Sequence, residues 1–187
     1  MRFRNWNEIQ AIIRSISKHL KDKPRIIAIG GTALIYYNLK KSTKDLDFVF
    51  PTQSECFWFA DALEKLGFEI RKGSKVWRFI NFEKNLFIDM SYGKVGDVSI
   101  TQSILSRLKK EKINNLWIWI PSLEDLFIMK VCHAIDTYES DAIGDVKRIY
   151  KKIDLKIVES ELINQNEKVN DKIKKFLEIF DLTSKVW

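Results

Sequence analysis

Two glycines and a threonine, Gly30-Gly31-Thr32, interrupt an apolar run at Arg25 to Ile29 and lead into a stretch of helical composition ending at Leu39. Glycine at such a point ends a buried strand and lets the backbone turn tightly, and a threonine after it can cap a helix. Further on, Asp45 to Phe50 (DLDFVF) alternates polar and apolar residues at its start, is rich in strand formers and stops at Pro51. A strand, a glycine turn, a helix and a second strand, in that order, point to an α+β chain with a mixed sheet.

The flanking segments extend this pattern. Ile9, Ile12, Ile13, Ile16 and Leu20 share one helical stripe, which predicts an amphipathic helix over Trp6 to Leu20. Ser54 to Leu66 reads as a helix, and Phe68 to Arg71, Val76 to Phe82 and Leu86 to Ser91 read as short strands, the first two joined by a Lys-Gly-Ser turn. Ile100 to Lys110 reads as a helix and Leu116 to Ile120 as a strand ended by Pro121. From Ser122 onward apolar residues recur at helical spacing, and glycine and proline vanish apart from Gly144. Ser122, Glu124 and Asp125 give the first of these helices an acidic start that suits its dipole. The expected organisation is a sheet domain over 1–120 and a helical bundle over 121–187 packed on it, with no linker between.

Asp45 and Asp47 stand at i and i+2 on the expected strand and therefore point to one face. Two carboxylates so placed repel one another unless a cation joins them, and Mg²⁺ or Mn²⁺ takes oxygen ligands while leaving positions open for phosphate. The neighbouring glycine turn offers backbone N–H groups and a helix start to a phosphate, with the Thr32 hydroxyl as a further donor. Asp89 is the only carboxylate in Leu86-Phe-Ile-Asp-Met-Ser91, and a charge in so apolar a run needs a partner such as a metal. Taken alone, D-x-D is most often two solvated aspartates and a glycine pair is most often a turn. Their combination carries the weight.

Together these features resemble the nucleotidyltransferase superfamily that includes polymerase β, where a glycine turn precedes D-x-D on the next strand and one more aspartate on a later strand. The wording Ile-Ala-Ile-Gly-Gly-Thr-Ala-Leu, then Lys41 and Ser-Thr-Lys-Asp-Leu-Asp-Phe, is similar to the AbiEii family of toxin nucleotidyltransferases. So are Pro121-Ser-Leu-Glu-Asp-Leu-Phe-Ile-Met-Lys130 and Ser140-Asp-Ala-Ile-Gly-Asp145-Val, so the likeness covers about residues 25 to 150. The resemblance implies a polymerase β-like core with a C-terminal helical bundle, moving an NMP from an NTP to a hydroxyl. It implies metal at Asp45, Asp47 and Asp89, nucleotide contacts at Gly30, Gly31, Thr32, Lys41, Thr43 and Lys130, and Lys130 on the triphosphate. Asp141 or Asp145 would position it, and Asp145 is favoured because it directly precedes the stripe Val146, Ile149 and Tyr150. The acceptor implied is an RNA or tRNA 3′ end, and the partner implied is a cognate antitoxin protein. This chain departs from the family at Lys41, where an Arg is usual, and after Ala134, where acidic Asp136 and Glu139 follow.

Composition bounds the partners. Lys and Arg outnumber Asp and Glu by 32 to 25, a formal charge of +7 over 187 residues. That excess favours a polyanion such as RNA and counts against an aminoglycoside-type acceptor, which is a polycation. Cys56 and Cys132 lie far apart and form no zinc pattern, and no apolar run is long enough to span a bilayer, so a reduced, cytoplasmic setting without membrane attachment is expected. Lys109-Lys110-Glu-Lys112 and Lys151-Lys152 are the best candidates for an RNA-facing surface. Trp117 and Trp119 alternate on one strand face and suggest core or interface. His133 shares a helical face with Lys130, and His19 has no expected role. Two rivals stand beside RNA modification: AMPylation of a protein hydroxyl, and a nucleotide- or partner-binding member of the same fold without turnover.

Overall fold

Apolar alternation becomes a seven-stranded mixed sheet in the computed structural model, which describes residues 3–73 and 76–180. The chain divides into two units: residues up to Lys94 with Leu108–Ile120, and Val95–Arg107 with the residues from Pro121 onward. The helical unit therefore also takes a segment from inside the sheet half.

The first unit opens with α1 (Trp6–Ser17), whose start is a reciprocal cap in which Glu8 N–H donates to Asn5 Oδ1 and Asn5 N–H donates to Glu8 Oε2. Its Ile9, Ile13 and Ile16 are buried. There follow β1 (Ile26–Ala28), α2 (Gly30–Tyr36), β2 (Asp45–Phe50), α3 (Gln53–Lys65), β3 (Glu69–Lys72), β4 (Trp77–Asn81) and β5 (Leu86–Tyr92). The Lys-Gly-Ser turn between β3 and β4 reaches Ser74, outside the described residues. The short β6 (Lys94–Val95) and β7 (Val98–Ser99) pair with each other, and α4 (Gln102–Arg107), β8 (Lys109–Ile113) and β9 (Leu116–Ile120) follow. The sheet order is β3-β4-β5-β2-β1-β9-β8, with β2–β5 and β1–β9 parallel and the remaining pairs antiparallel. Leu46, Phe48 and Phe50 line one face of β2, where Phe59 of α3 packs its ring against both phenylalanines.

Two expectations are corrected here. The helix expected over Ile100 to Lys110 ends at Arg107, and Lys109–Ile113 is a strand. Asn114, at a φ of 57°, closes a two-residue hairpin that pairs Ile113 with Leu116, and this pairing overrides the weak strand propensity of lysine and glutamate. Thr32 does not cap α2 either. The N-cap is Ile29, without a side-chain bond, and the glycine pair forms the first turn of the helix.

The second unit contains α5 (Leu123–Thr137), α6 (Ser140–Tyr150), α7 (Leu155–Leu162) and α8 (Glu167–Ile179). Ser122 Oγ caps α5 by accepting from Asp125 N–H. The Asp125 carboxylate, part of the acidic helix start expected from sequence, is wholly buried and accepts from Arg107. Arg107 also donates to Glu161, likewise buried, which Thr101, Ser103 and Gln165 contact as well. Burial pushes Glu161 upward, but the bonds from Ser103, Arg107, Thr101 and Gln165 outweigh it and hold the carboxyl below its ordinary value.

A second charged cluster predicts an acid response. Hydrogen bonds from Lys172 at 2.6 Å and Lys168 at 3.0 Å hold the Asp97 carboxyl down at about 2. Because the folded value lies below the unfolded one, the stabilisation is present above about pH 4 and is lost as pH falls through about 2. Denaturation of wild type against Asp97→Asn should show a gap of about 2 kcal/mol at pH 6 that closes toward pH 2. A gap that does not depend on pH would refute the ion-pair origin.

Candidate active site

The three aspartates of the sheet unit come together through register. Asp45 and Asp47 alternate with the buried Leu46 and Phe48 along β2, and the parallel pairing sets Asp47 directly beside Asp89 of β5. Across the antiparallel pair, Arg78 of β4 sits beside Asp89, so all four charged side chains share one face.

The glycine turn organises Asp47. Gly31 N–H donates to Asp47 Oδ2 at 3.2 Å, Asp47 N–H donates to Thr32 Oγ1 at 3.0 Å, and Ile29 N–H donates to the Asp47 carbonyl. Thr32 is fully buried, so its hydroxyl holds β2 to α2 in place of the nucleotide contact expected from sequence. Thr43 is also buried and donates to the Asp45 carbonyl at 3.0 Å, again a fold contact where a nucleotide contact was expected. Lys41 is exposed and lines a pocket with Asn5, Trp6, Asn7, Ile35, Asn38 and Lys40, and no hydrogen bond or ion pair joins it to the aspartates.

Gly30 has a φ of 55°, and a Cβ there would overlap the Asp47 carboxylate. Gly30→Ala should therefore cost about 1 kcal/mol in backbone strain and push Asp47 aside. The expected result is a modest fall in thermal stability with a much larger fall in turnover, read from unfolding curves and transfer rates on the same preparation. Unchanged turnover would mean that the position of Asp47 is not critical.

Charge in this cluster is unevenly balanced. Arg78 donates from Nε to Asp89 Oδ1 at 2.7 Å and from Nη2 to Asp89 Oδ2 at 2.5 Å, a bidentate pair that also lies in the field of Asp45 and Asp47. Burial and the nearby Asp89 raise Asp45 above the ordinary carboxylate value, against the pull of Arg78, Lys44 and Arg4. Asp45 Oδ1 is buried and has no hydrogen-bond partner in the structure. An orphaned carboxylate oxygen beside a second carboxylate fits a hard divalent cation. Among the described residues no three His, Cys, Asp or Glu side chains stand close enough to hold one ion as they are, and the Asp89 carboxylate is engaged by Arg78. Asp45 and Asp47 are thus the pair that fits. Sequence reasoning missed Arg78, whose place depends on the pairing of β4 with β5.

In the helical unit, Lys130 of α5 and Asp145 of α6 meet. Lys130 Nζ donates to Asp145 Oδ2 at 3.0 Å, and Arg148 Nη1 donates to Asp145 Oδ1 at 2.7 Å. Asp145 is buried while Asp141 is exposed in the first turn of α6, so of the two candidates Asp145 is the one that holds Lys130. His133 faces Glu139 at 3.7 Å. Cys56 and Cys132 are free, and burial pushes both thiols up to about 12. No described helix is long and apolar enough to cross a membrane.

Solved structures share this fold. The crystal structure of ANT(2″)-Ia in complex with adenylyl-2″-tobramycin is similar with a TM-score of 0.60 and 12% identity, over 90% of this chain and 98% of that one. The solution structure of the same antibiotic-resistance factor gives 0.57 and 12%, over 95% and 92%. An antigenic nucleotidyltransferase-like protein from Paracoccidioides brasiliensis gives 0.55 and 13%, over 99% and 94%. At these identities the likeness is one of fold. No curated protein matches the sequence. A family model described as nucleotidyl transferase of unknown function (DUF2204) matches residues 9–179, most of the chain, and the chain belongs to that family of nucleotidyltransferases.

Proposed function

We propose that this nucleotidyltransferase moves an NMP from a nucleoside triphosphate to the 3′ hydroxyl of an RNA, with Mg²⁺ or Mn²⁺ held by Asp45 and Asp47. The observation that carries the reading is the shared face of Asp45, Asp47 and Asp89, with Asp45 Oδ1 buried and unpartnered. When bound, the cation supplies charge neutralisation and polarisation of the reacting phosphate. The chain's own residues do the rest. The Gly30-Gly31 turn fixes Asp47, whose carboxylate accepts from the buried Gly31 N–H. The acceptor oxygen forms a bond to the α-phosphorus, the bond to the bridging oxygen breaks, and pyrophosphate leaves with that electron pair. Asp89 takes the acceptor's proton, which requires Arg78 to release one of its oxygens. Asp145 holds Lys130 within the helical unit, and the resemblance to AbiEii toxins supports giving this lysine the role of offsetting charge on the triphosphate.

The excess of basic residues supports RNA as the acceptor, and the wording that resembles AbiEii toxins supports a toxin role with a cognate antitoxin. A second reading takes an aminoglycoside as acceptor, because the fold neighbour ANT(2″)-Ia was solved with adenylyl-2″-tobramycin. An anionic face suits a polycation, whereas the net charge of +7 opposes it. The test incubates the protein and Mg²⁺ with each α-labelled triphosphate and, separately, total tRNA, a protein extract or tobramycin, with Asp45→Asn/Asp47→Asn as control. Label in RNA that is absent from the control supports the first reading, and label in tobramycin supports the second. Label in protein alone would replace both with AMPylation, and nucleotide binding without product would leave a binding protein.

A further inference from the structure

The edge of the sheet carries a ladder that the chemistry above leaves unused. In the β8–β9 hairpin, Lys110 pairs with Trp119 and Lys112 with Trp117. Each lysine lies over the tryptophan opposite, with Nζ at 4.6 Å from the Trp119 ring centre and 5.9 Å from that of Trp117. Ile113, Leu116, Ile118 and Ile120 are buried, while Trp117 keeps 44% of its surface exposed and both lysines are exposed.

Register ties this ladder to the aspartates. Trp119 pairs with Ile27, Ile27 with Val49, and Val49 alternates with Asp47 and Asp45 on β2. Registered partners share a face, so Lys110, Lys112, Trp117 and Trp119 stand on the same face of the sheet as the three carboxylates. Ile27 and Val49 between them are buried, which leaves the ladder as a patch at the margin of that face.

Lysines on an edge strand also discourage pairing with other chains. That need is met by charge alone and gives no reason to expose indole rings beside the ammonium groups. Indole is costly to leave in water and well suited to stacking on any base, and lysine is suited to the adjoining phosphates. Trp117 and Trp119 are about 6.6 Å apart along the strand, room for two bases to stack separately. Uniform positive charge at aromatic rings is complementary to a polyanion that carries bases.

We propose that the Lys110–Trp119 and Lys112–Trp117 ladder is a binding surface for single-stranded RNA. The proposal deepens the reading of RNA as acceptor, yet binding is measured without triphosphate or divalent cation, so its failure is separable from failure of transfer. A short fluorescein-labelled single-stranded RNA is titrated with the full chain and followed by anisotropy across a salt series. Trp117→Ala should weaken binding roughly 5- to 100-fold, with Trp117→Phe retaining most of it. Lys110→Gln/Lys112→Gln should lower the salt slope by about 0.7 for each phosphate that is no longer neutralised. Heparin, a polyanion without bases, separates stacking from charge: Trp117→Ala should leave heparin binding unchanged. RNA affinity unaltered in these variants, an equal loss of heparin binding on Trp117→Ala, or concentration-dependent dimerisation through the edge in place of RNA binding would each overturn the proposal.

Discussion

Asp47→Asn should lower nucleotidyl transfer by about 10³-fold or more while leaving the chain folded, because a divalent cation loses one of the two carboxylates that fit it. The substitution isolates charge from position. An asparagine Oδ1 can still accept from Gly31 N–H, and the backbone bonds of Asp47 to Ile29 and Thr32 are untouched. Asp45→Asn should reduce turnover comparably, with the opposite sign in stability. The folded Asp45 carboxyl titrates above its unfolded value, so ionisation at neutral pH opposes folding, and a neutral amide removes that cost. Its gain in melting temperature without metal should shrink as pH falls into the range where Asp45 itself is protonated. Transfer rates and melting curves for both variants check this pair of outcomes, and wild-type turnover in either variant would remove the carboxylates from the mechanism.

The largest loss of stability is expected at Arg107→Ala. Its guanidinium lies within 2.6 Å of both Asp125 and Glu161, whose side chains are completely buried. Truncation leaves two carboxylates in the interior without a cation, a change worth about 3–5 kcal/mol. Arg107→Ala/Glu161→Gln should recover part of that loss by removing one orphaned charge, because an amide oxygen in the place of Oε1 can still accept from Thr101 and Gln165 while the amide N–H donates to the Ser103 hydroxyl. Denaturant midpoints for the single and double variants measure the effect. A single variant within about 1 kcal/mol of wild type would mean that water or a rearranged side chain replaces the arginine.

What could be read ahead of the structure divides along a physical line. β2 spans Asp45–Phe50 and β9 spans Leu116–Ile120 as expected, since each combines β-rich composition with a proline immediately after it. The meeting of Asp45 and Asp47 on one face follows from period-two alternation within a single strand. Arg78, by contrast, acquires meaning only from the antiparallel register of β4 against β5, and Arg107 only when the segment from Val95 to Arg107 joins the helices. Neither residue sits in a local pattern that signals its partner. Thr32 and Thr43 show the converse: their type suits phosphate, and burial decides their use. The strand at Lys109–Ile113 was masked by its lysines, and its local clue was the Asn114-Asn115 pair, which suits a tight hairpin.

Strand order also sets a timetable for synthesis. β1 lies between β2 and β9, and its Ile26 pairs with Ile118. At ~5–20 residues per second on the ribosome, β1 waits roughly 5–20 s after its own emergence for that neighbour. During the interval β1, β2, β5, β4 and β3 can assemble, but one side of β1 presents unpaired amides and carbonyls beside the apolar Ile26 and Ile27. A nascent chain of this architecture has a built-in window in which chaperone capture, or pairing with a second nascent copy, competes with completion of its own sheet.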